Sequence, residues 1–191
     1  MSDLKVSVGI SNRHIHLCQA DLETLFGKGH QLTPKKDLSQ PGQFASEEMV
    51  NLVGPKGTIA KVRVLGPVRP QSQVEISRTD SFGLGIKAPV RESGVIDGTP
   101  GITLEGPAGK IELKEGVIIA LRHLHLHTDE AKVMGLKDKD WISVKFEGER
   151  EVTFGHVLVR VGPKYAMDLH IDTDEANAAA LNNGDQGIVI K

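Results

Sequence analysis

The feature that most constrains this 191-residue chain is that its first part recurs, in the same order, in its last part. Residues 6–10 lead into Ser11-Asn12-Arg13-His14-Ile15-His16-Leu17, followed by helical spacing over 20–26 that stops at Gly27. Residues 117–121 lead into Arg122-His123-Leu124-His125-Leu126, followed by helical spacing over 129–134 that stops at Gly135. Further on, Ala60-Lys61-Val62-Arg63-Val64-Leu65-Gly66-Pro67 is echoed by His156-Val157-Leu158-Val159-Arg160-Val161-Gly162-Pro163, each a strand closed by a Gly-Pro turn. A third pair aligns Val74-Glu75-Ile76-Ser77 with Leu169-His170-Ile171-Asp172, which puts Glu75 and His170 in equivalent places. Three matched blocks in one order predict an internal duplication and two similar β-domains.

Composition agrees with that reading. Aromatics are 4% of the chain, while Gly (21) and Pro (9) are frequent, which suits short strands and tight turns better than long helices. Residues 81–114, rich in Gly and Pro, read as turn chemistry joining short strands. Residues 173–181 read as a capped, Ala-rich helix, and 187–190 as a closing strand. A net charge of -2 and a pI near 6.4 give no basic field, so neither nucleic acid nor an anionic membrane is an expected partner. The lone Cys18 forms no internal disulfide framework and fits a reducing compartment, with the cytoplasm as default. No apolar run approaches the roughly 20 residues needed to span a bilayer, and the polar start, Met1 to Lys5, has no signal-peptide core behind it.

The repeats also carry the chemistry. Residues two apart in a strand share a face, so His14 with His16, and His123 with His125, each present two imidazoles side by side. One such pair reads equally well as surface histidines; two copies, with Glu75 and His170 as matched third candidates, point to metal. The expected sets are His14, His16, Glu75 and His123, His125, His170; the repeat does not say which third ligand completes which site. Cys18 and His127 are rival ligands, set lower because both immediately precede helices, where capping is the ordinary role. His30 and His156 lack a partner at ligand spacing and read as solvated. Arg69, in a Gly-Pro-Val-Arg-Pro turn shortly before Glu75, is the best phosphate-binding candidate, and Arg91-Glu92-Ser93-Gly94 adds a hydroxyl and flexible backbone to an anion pocket. The repeat counterpart of Arg69 is Lys164 or Tyr165, so the two halves differ chemically. Arg13 and Arg122 should point away from their neighbouring histidines, with ion pairing and substrate contact both open to them.

The set Ser11-Asn12-Arg13-His14-Ile15-His16-Leu17, Gln40-Pro41-Gly42-Gln43-Phe44, Leu65-Gly66-Pro67-Val68-Arg69, Gln73-Val74-Glu75-Ile76-Ser77 and Arg122-His123-Leu124-His125 closely resembles the phosphate propanoyltransferase family of propanediol-utilisation phosphotransacylases. The likeness runs over nearly the whole chain. It implies a mainly β fold of two β-barrel domains with short capping helices, here expected as residues 1–45 together with 120–191, and 46–119. It also implies two Zn2+ per chain between those domains and reversible conversion of a short-chain acyl-CoA plus phosphate into acyl phosphate plus coenzyme A. Carried over position by position, the family's metal ligands fall on the six residues named above, and its phosphate-binding, catalytic arginine on Arg69, with Ser93 a weaker match. The chain departs from the family pattern at Cys18 and His127, where small hydroxyl residues are expected before helices. Members that enter microcompartments look as though they need an N-terminal extension; 13 residues precede His14, so a cytosolic role is expected, and a homodimer stays open.

The expected reaction is direct attack of phosphate on the acyl carbon, with Arg69 and Ser93 positioning phosphate and metal steadying the developing charge. Two other classes compete. A dinuclear zinc hydrolase of thioesters or phosphoesters would use hydroxide in place of phosphate. A non-enzymatic cupin-like module also presents His-x-His on strands, but its next ligand follows within a few residues, whereas Glu75 lies far downstream of His16.

Overall fold

A computed structural model describes residues 4–191. In chain order the strands begin β1 (Lys5–Ser11), β2 (His14–His16), β3 (Pro34–Asp37), β4 (Phe44–Val53), β5 (Thr58–Gly66), β6 (Gln73–Glu75) and β7 (Val90–Arg91). They continue β8 (Ile102–Glu105), β9 (Lys110–Leu113), β10 (Val117–Ala120), β11 (His123–Leu126), β12 (Trp141–Phe146), β13 (Val152–Val161), β14 (Asp168–Asp172) and β15 (Gln186–Ile190). The helices are short: α1 (Gln19–Phe26), α2 (Arg78–Leu84), α3 (Thr128–Met134) and α4 (Thr173–Ala179). The fold is mainly β, as expected. Six strands, in the order β1-β14-β11-β13-β12-β15, close a barrel. The other nine form a curled half-barrel, β7-β10-β6-β2-β5-β4-β8-β9, with β3 on the side of β4.

The duplication is legible in the pairing itself. β2 runs parallel to β5 and antiparallel to β6, and β11 runs parallel to β13 and antiparallel to β14. The strand before each His-x-His segment is exchanged: β1 pairs in parallel with β14, and β10 with β6. This exchange moves the domain boundaries away from the expected ones. One unit holds the chain through Ser11, Ser39–Pro41 and Leu121–Lys191; the other holds Asn12–Leu38 and Gly42–Ala120. Residues 12–38 therefore join the second unit, because β2 is hydrogen-bonded between β5 and β6. Gln40 stays with the first, its side-chain amide donating to the Ala166 carbonyl at 2.9 Å and accepting from the Ala166 N–H at 3.3 Å.

Each unit has its own core, and strand alternation decides what enters it. In the barrel, Leu124 and Leu126 of β11 and Leu169 and Ile171 of β14 are buried among Val8, Val144, Phe146 and Val159. In the half-barrel, Ile15 of β2, Val74 of β6 and Val64 of β5 pack with Leu17, Leu22, Leu25 and Leu104. The residues between these apolar positions, His14, His16, Gln73 and Glu75 in one unit and His123, His125, Asp168 and His170 in the other, consequently share the opposite face of paired strands.

The helices start where side chains satisfy the free N–H groups of a first turn. Ser77 with Asp80, and Asp172 with Glu175, form capping boxes for α2 and α4, and His127 caps α3. Cys18 sits at the N-cap of α1 without a side-chain bond. The 81–114 segment is not all turn, since α2 continues to Leu84; Gly83 interrupts the apolar pattern, while Ser77-x-x-Asp80 is the capping signal that marks the helix. Among the described residues, no helix is long and apolar enough to cross a membrane.

Candidate metal centres

The two antiparallel pairings set equivalent side chains opposite one another. His14 is in register with Glu75 and His16 with Gln73; His123 is in register with His170 and His125 with Asp168. The six candidate ligands are thereby gathered in two groups, His14-His16-Glu75 and His123-His125-His170, each with its potential ligand atoms within 4.8 Å of one another. Each group lies wholly in one unit.

The first group is held by a dense set of bonds. His14 donates from Nδ1 to the Asn12 carbonyl at 2.8 Å, which fixes the tautomer and leaves Nε2 as the lone-pair nitrogen, 3.4 Å from Glu75 Oε2. Glu75 Oε1 accepts from Gln73 Nε2 at 2.6 Å and from the Ser93 hydroxyl at 2.8 Å. Ser93 Oγ in turn accepts from Arg69 Nη1 at 3.1 Å and Gln73 Nε2 at 2.9 Å, and Gln73 Oε1 accepts from the Gly94 N–H at 2.7 Å. The loop carrying Arg69 is tied to the end of the His-x-His segment by the Arg69 N–H donating to Leu17 O, at 2.9 Å, and by the Cys18 N–H donating to Ser72 Oγ, also at 2.9 Å. Thus Arg69, Ser93 and Glu75 are consecutive members of one network, whereas Arg91 is exposed with its Nη1 on the Val90 carbonyl.

Charge follows burial and neighbours. Burial alone would favour neutral Glu75, but His14, His16 and the Ser93 hydroxyl hold its carboxyl well below the usual range. Burial likewise opposes a charge on His14, and the Glu75 carboxylate overcomes it, raising that imidazole. His16 is driven well down by burial, with His14 and Arg69 adding to it.

In the second group His123 Nδ1 donates to the Leu121 carbonyl at 2.8 Å, repeating the tautomer lock of His14. His125 is pushed down to about 2 by burial and by the neighbouring His123, His170 and Arg160. Its ring stacks on Tyr165, centroids 4.4 Å apart, and Arg160 Nη2 donates to the Tyr165 hydroxyl at 3.4 Å. Tyr165 is one of the two positions, with Lys164, that the repeat matches to Arg69, and here it is an aromatic ring packed on a candidate ligand.

These residues suit a divalent cation. His16 Nδ1 and His125 Nδ1 are buried without a hydrogen-bond partner, and His170 Nε2, which also makes no hydrogen bond, lies 3.2 Å from Asp168 Oδ2. An unpaired buried polar atom costs about 1–3 kcal/mol, and a divalent cation would pair the His16 and His125 nitrogens, one in each compact cluster. Sets of three imidazoles, or two imidazoles and a carboxylate, match three-ligand zinc sites that keep one position open.

A profile of the phosphate propanoyltransferases matches residues 7–182. A protein of Thermotoga maritima named phosphate propanoyltransferase is 56% identical over 187 residues, 97% of this chain and 89% of its own length. The chain belongs to the phosphate propanoyltransferase family. Relatives of the same name from Rhodopseudomonas palustris (51% identical, 95% of this chain and 80% of the relative) and Salmonella typhimurium (50%, 96% and 87%) extend the match.

The rival ligands stand apart from both groups. Cys18 and His127 are N-cap residues, His127 Nδ1 accepting from the Asp129 N–H at 3.2 Å. Arg13 and Arg122 make the structural ion pairs that the repeats leave open, to Asp80 at 2.8 Å and to Glu175 at 2.7 Å. These acids are the same ones that complete the capping boxes of α2 and α4. His156 is exposed and meets Trp141 edge-on. His30 is not simply solvated: it stacks on Phe26, and its Nε2 lies 2.9 Å from buried Glu48. Gln73 and Asp168 escape sequence reasoning, although each stands two residues before a named candidate and so shares its face.

Proposed function

We propose that this chain is a phosphotransacylase that interconverts a short-chain acyl-CoA and phosphate with acyl phosphate and coenzyme A, with two zinc ions as cofactors. The reading is supported by the name its relatives carry and, in the structure, by one observation above others: an arginine, a serine hydroxyl and a candidate metal-ligating carboxylate in direct hydrogen-bonded sequence, Arg69–Ser93–Glu75. The His14-His16-Glu75 and His123-His125-His170 sets would hold the metal, which when bound supplies Lewis-acid stabilisation of charge developing on the acyl oxygen and the departing sulfur.

Arg69 presents a planar guanidinium suited to two phosphate oxygens at once, and its fixed loop lowers the entropic cost of bringing two anionic substrates together. Ser93, whose oxygen already accepts from Arg69, marks the place a phosphate oxygen would take as an alternative acceptor. Phosphate oxygen then attacks the acyl carbon, the carbon–sulfur bond breaks, and coenzyme A leaves as thiolate. No side chain forms an acyl intermediate in this scheme. His16 and His125, held neutral by burial, keep lone pairs available at working pH. The single, uncrosslinked Cys18 is in keeping with a cytoplasmic setting.

The test is to incubate the purified protein with propanoyl-CoA or acetyl-CoA and follow thiol release and acyl phosphate together. Thiol release that requires phosphate and equals acyl phosphate formed is the predicted result. Equal thiol release without phosphate would instead assign a thioester hydrolase.

A further inference from the structure

Each candidate metal group is a two-by-two array on one face of an antiparallel strand pair, and three corners are the ligands already named. The fourth corner is Gln73 beside Glu75 and Asp168 beside His170. The two fourth corners differ in the way their neighbours demand. Glu75 needs a donor, and Gln73 gives it one, Nε2 to Oε1, at 2.6 Å. Asp168 Oδ2 lies 3.2 Å from His170 Nε2, close approach without an aligned hydrogen bond, so Nδ1 is the nitrogen of His170 that would face a metal.

We infer that Asp168 is the positioning carboxylate of the three-histidine group, orienting His170 and supplying the negative charge that Glu75 supplies to its own group. This rests on the metal reading above. Three neutral imidazoles leave both charges of a divalent cation uncompensated in a buried place, and a buried ion without a counter-charge is costly. Asp168 is 5% exposed. Outer carboxylates on ligating histidines orient the ring and raise its basicity. Asp168 itself is not one of the residues whose ligand atoms cluster within 4.8 Å, so its place is beside the ligands and not among them.

The neighbouring strand is cut to receive this carboxylate. In β1, Gly9 is in register with His170, the place that Ile118 of β10 takes beside Glu75. A Cβ at Gly9 would stand 2.7 Å from Asp168 Oδ2 and 3.2 Å from its Cγ, so the carboxylate would have to shift to admit it. Gly9 is in the middle of a strand, where glycine is otherwise unfavourable, and close approach of another group is the usual reason for it.

Asp168→Asn keeps the shape and removes the charge. Cation affinities are measured by titrating chelator-stripped protein with Co2+ and with Zn2+ against a competing chelator, following cobalt absorption and bound metal per chain. Wild type is predicted to bind two cations per chain, and Asp168→Asn to lose about 10–100-fold in affinity at one of them while the other is unchanged. The retained cation should be lost on adding Glu75→Ala, which assigns the weakened one to the histidine group. Melting of the stripped Asp168→Asn protein should match stripped wild type, separating a positioning role from a folding role. Gly9→Ala, which leaves Asp168 present but displaced, should weaken the same cation and decides the matter if Asp168→Asn does not fold. Two cations bound by Asp168→Asn with wild-type affinity would overturn this inference alone. Wild type that binds no cation would overturn the metal reading, and this one with it.

Discussion

Glu75 stands directly opposite His14 across two antiparallel strands, with Oε2 3.4 Å from the histidine's Nε2. That register is repeated by His170 and His123, so the duplication conserves the geometry of a cross-strand pair while changing one partner from carboxylate to imidazole.

Arg69 should govern phosphate and leave metal alone. Its guanidinium reaches Ser93 and is not one of the clustered ligand residues. Charge-assisted bonds contribute about 1.5–3 kcal/mol, so Arg69→Ala should raise the phosphate KM by roughly tenfold to a hundredfold. Steady-state kinetics at varied phosphate, with metal content measured in parallel, checks both halves of this statement.

The candidate ligands are mounted on core residues, so the core can be damaged without touching them. Leu124 lies between His123 and His125 and is fully buried. Leu124→Ala should cost about 2–5 kcal/mol of unfolding free energy, read from urea unfolding of chelator-treated protein. The wild-type His123 and His125 side chains remain, so a change in unfolding midpoint is expected before any change in which residues bind metal.

Glu48 should make stability depend on acid. Burial works to raise its carboxyl, but hydrogen bonds from His30 and the Thr33 N–H outweigh burial and hold it below its ordinary value of 4.5. A carboxyl lowered by folding contributes stability that is present above the unfolded value and lost as pH falls through the folded one. Glu48→Gln should therefore be less stable than wild type at pH 7, with the gap closing below roughly pH 4.5. Thermal melts across that range provide the comparison.

Among the described residues, Ala180 is the one helix-ending residue with a left-handed backbone that is not glycine, at φ 54°, whereas α2 and α3 end at Gly85 and Gly135. The left-handed conformation costs an L-residue about 1–2 kcal/mol, and glycine's extra unfolded-state freedom returns about 0.4–1 kcal/mol of that. Ala180→Gly should accordingly stabilise the protein by about 0.5–1 kcal/mol, raising Tm by a few degrees.

Much of this arrangement is legible in the sequence. His-x-His spacing fixes two imidazoles on one strand face, and the repeat nominates Glu75 and His170 because matched strands carry matched positions. The exchange of β1 and β10 was not legible, since strand partners are chosen by tertiary pairing and neither segment carries a mark of its partner. That is why residues 12–38, expected with the first unit, group with the second. Helix α2 is obscured in the sequence because Gly83 and Gly85 look like turn residues, although the capping box at Ser77 marks its start. Gln73 and Asp168 were passed over because neither type announces itself as a ligand; only the register, which puts them opposite His16 and His125, gives them a place in the chemistry.

The most direct test is the amount of zinc or cobalt held per chain, by elemental analysis after resupply and removal of excess, in wild type, Glu75→Ala and His170→Ala. Two ions in wild type and one in each variant is the predicted outcome. A wild-type protein that holds no ion after resupply, or variants that both keep two, would contradict the assembly of two metal sites by the repeated strands.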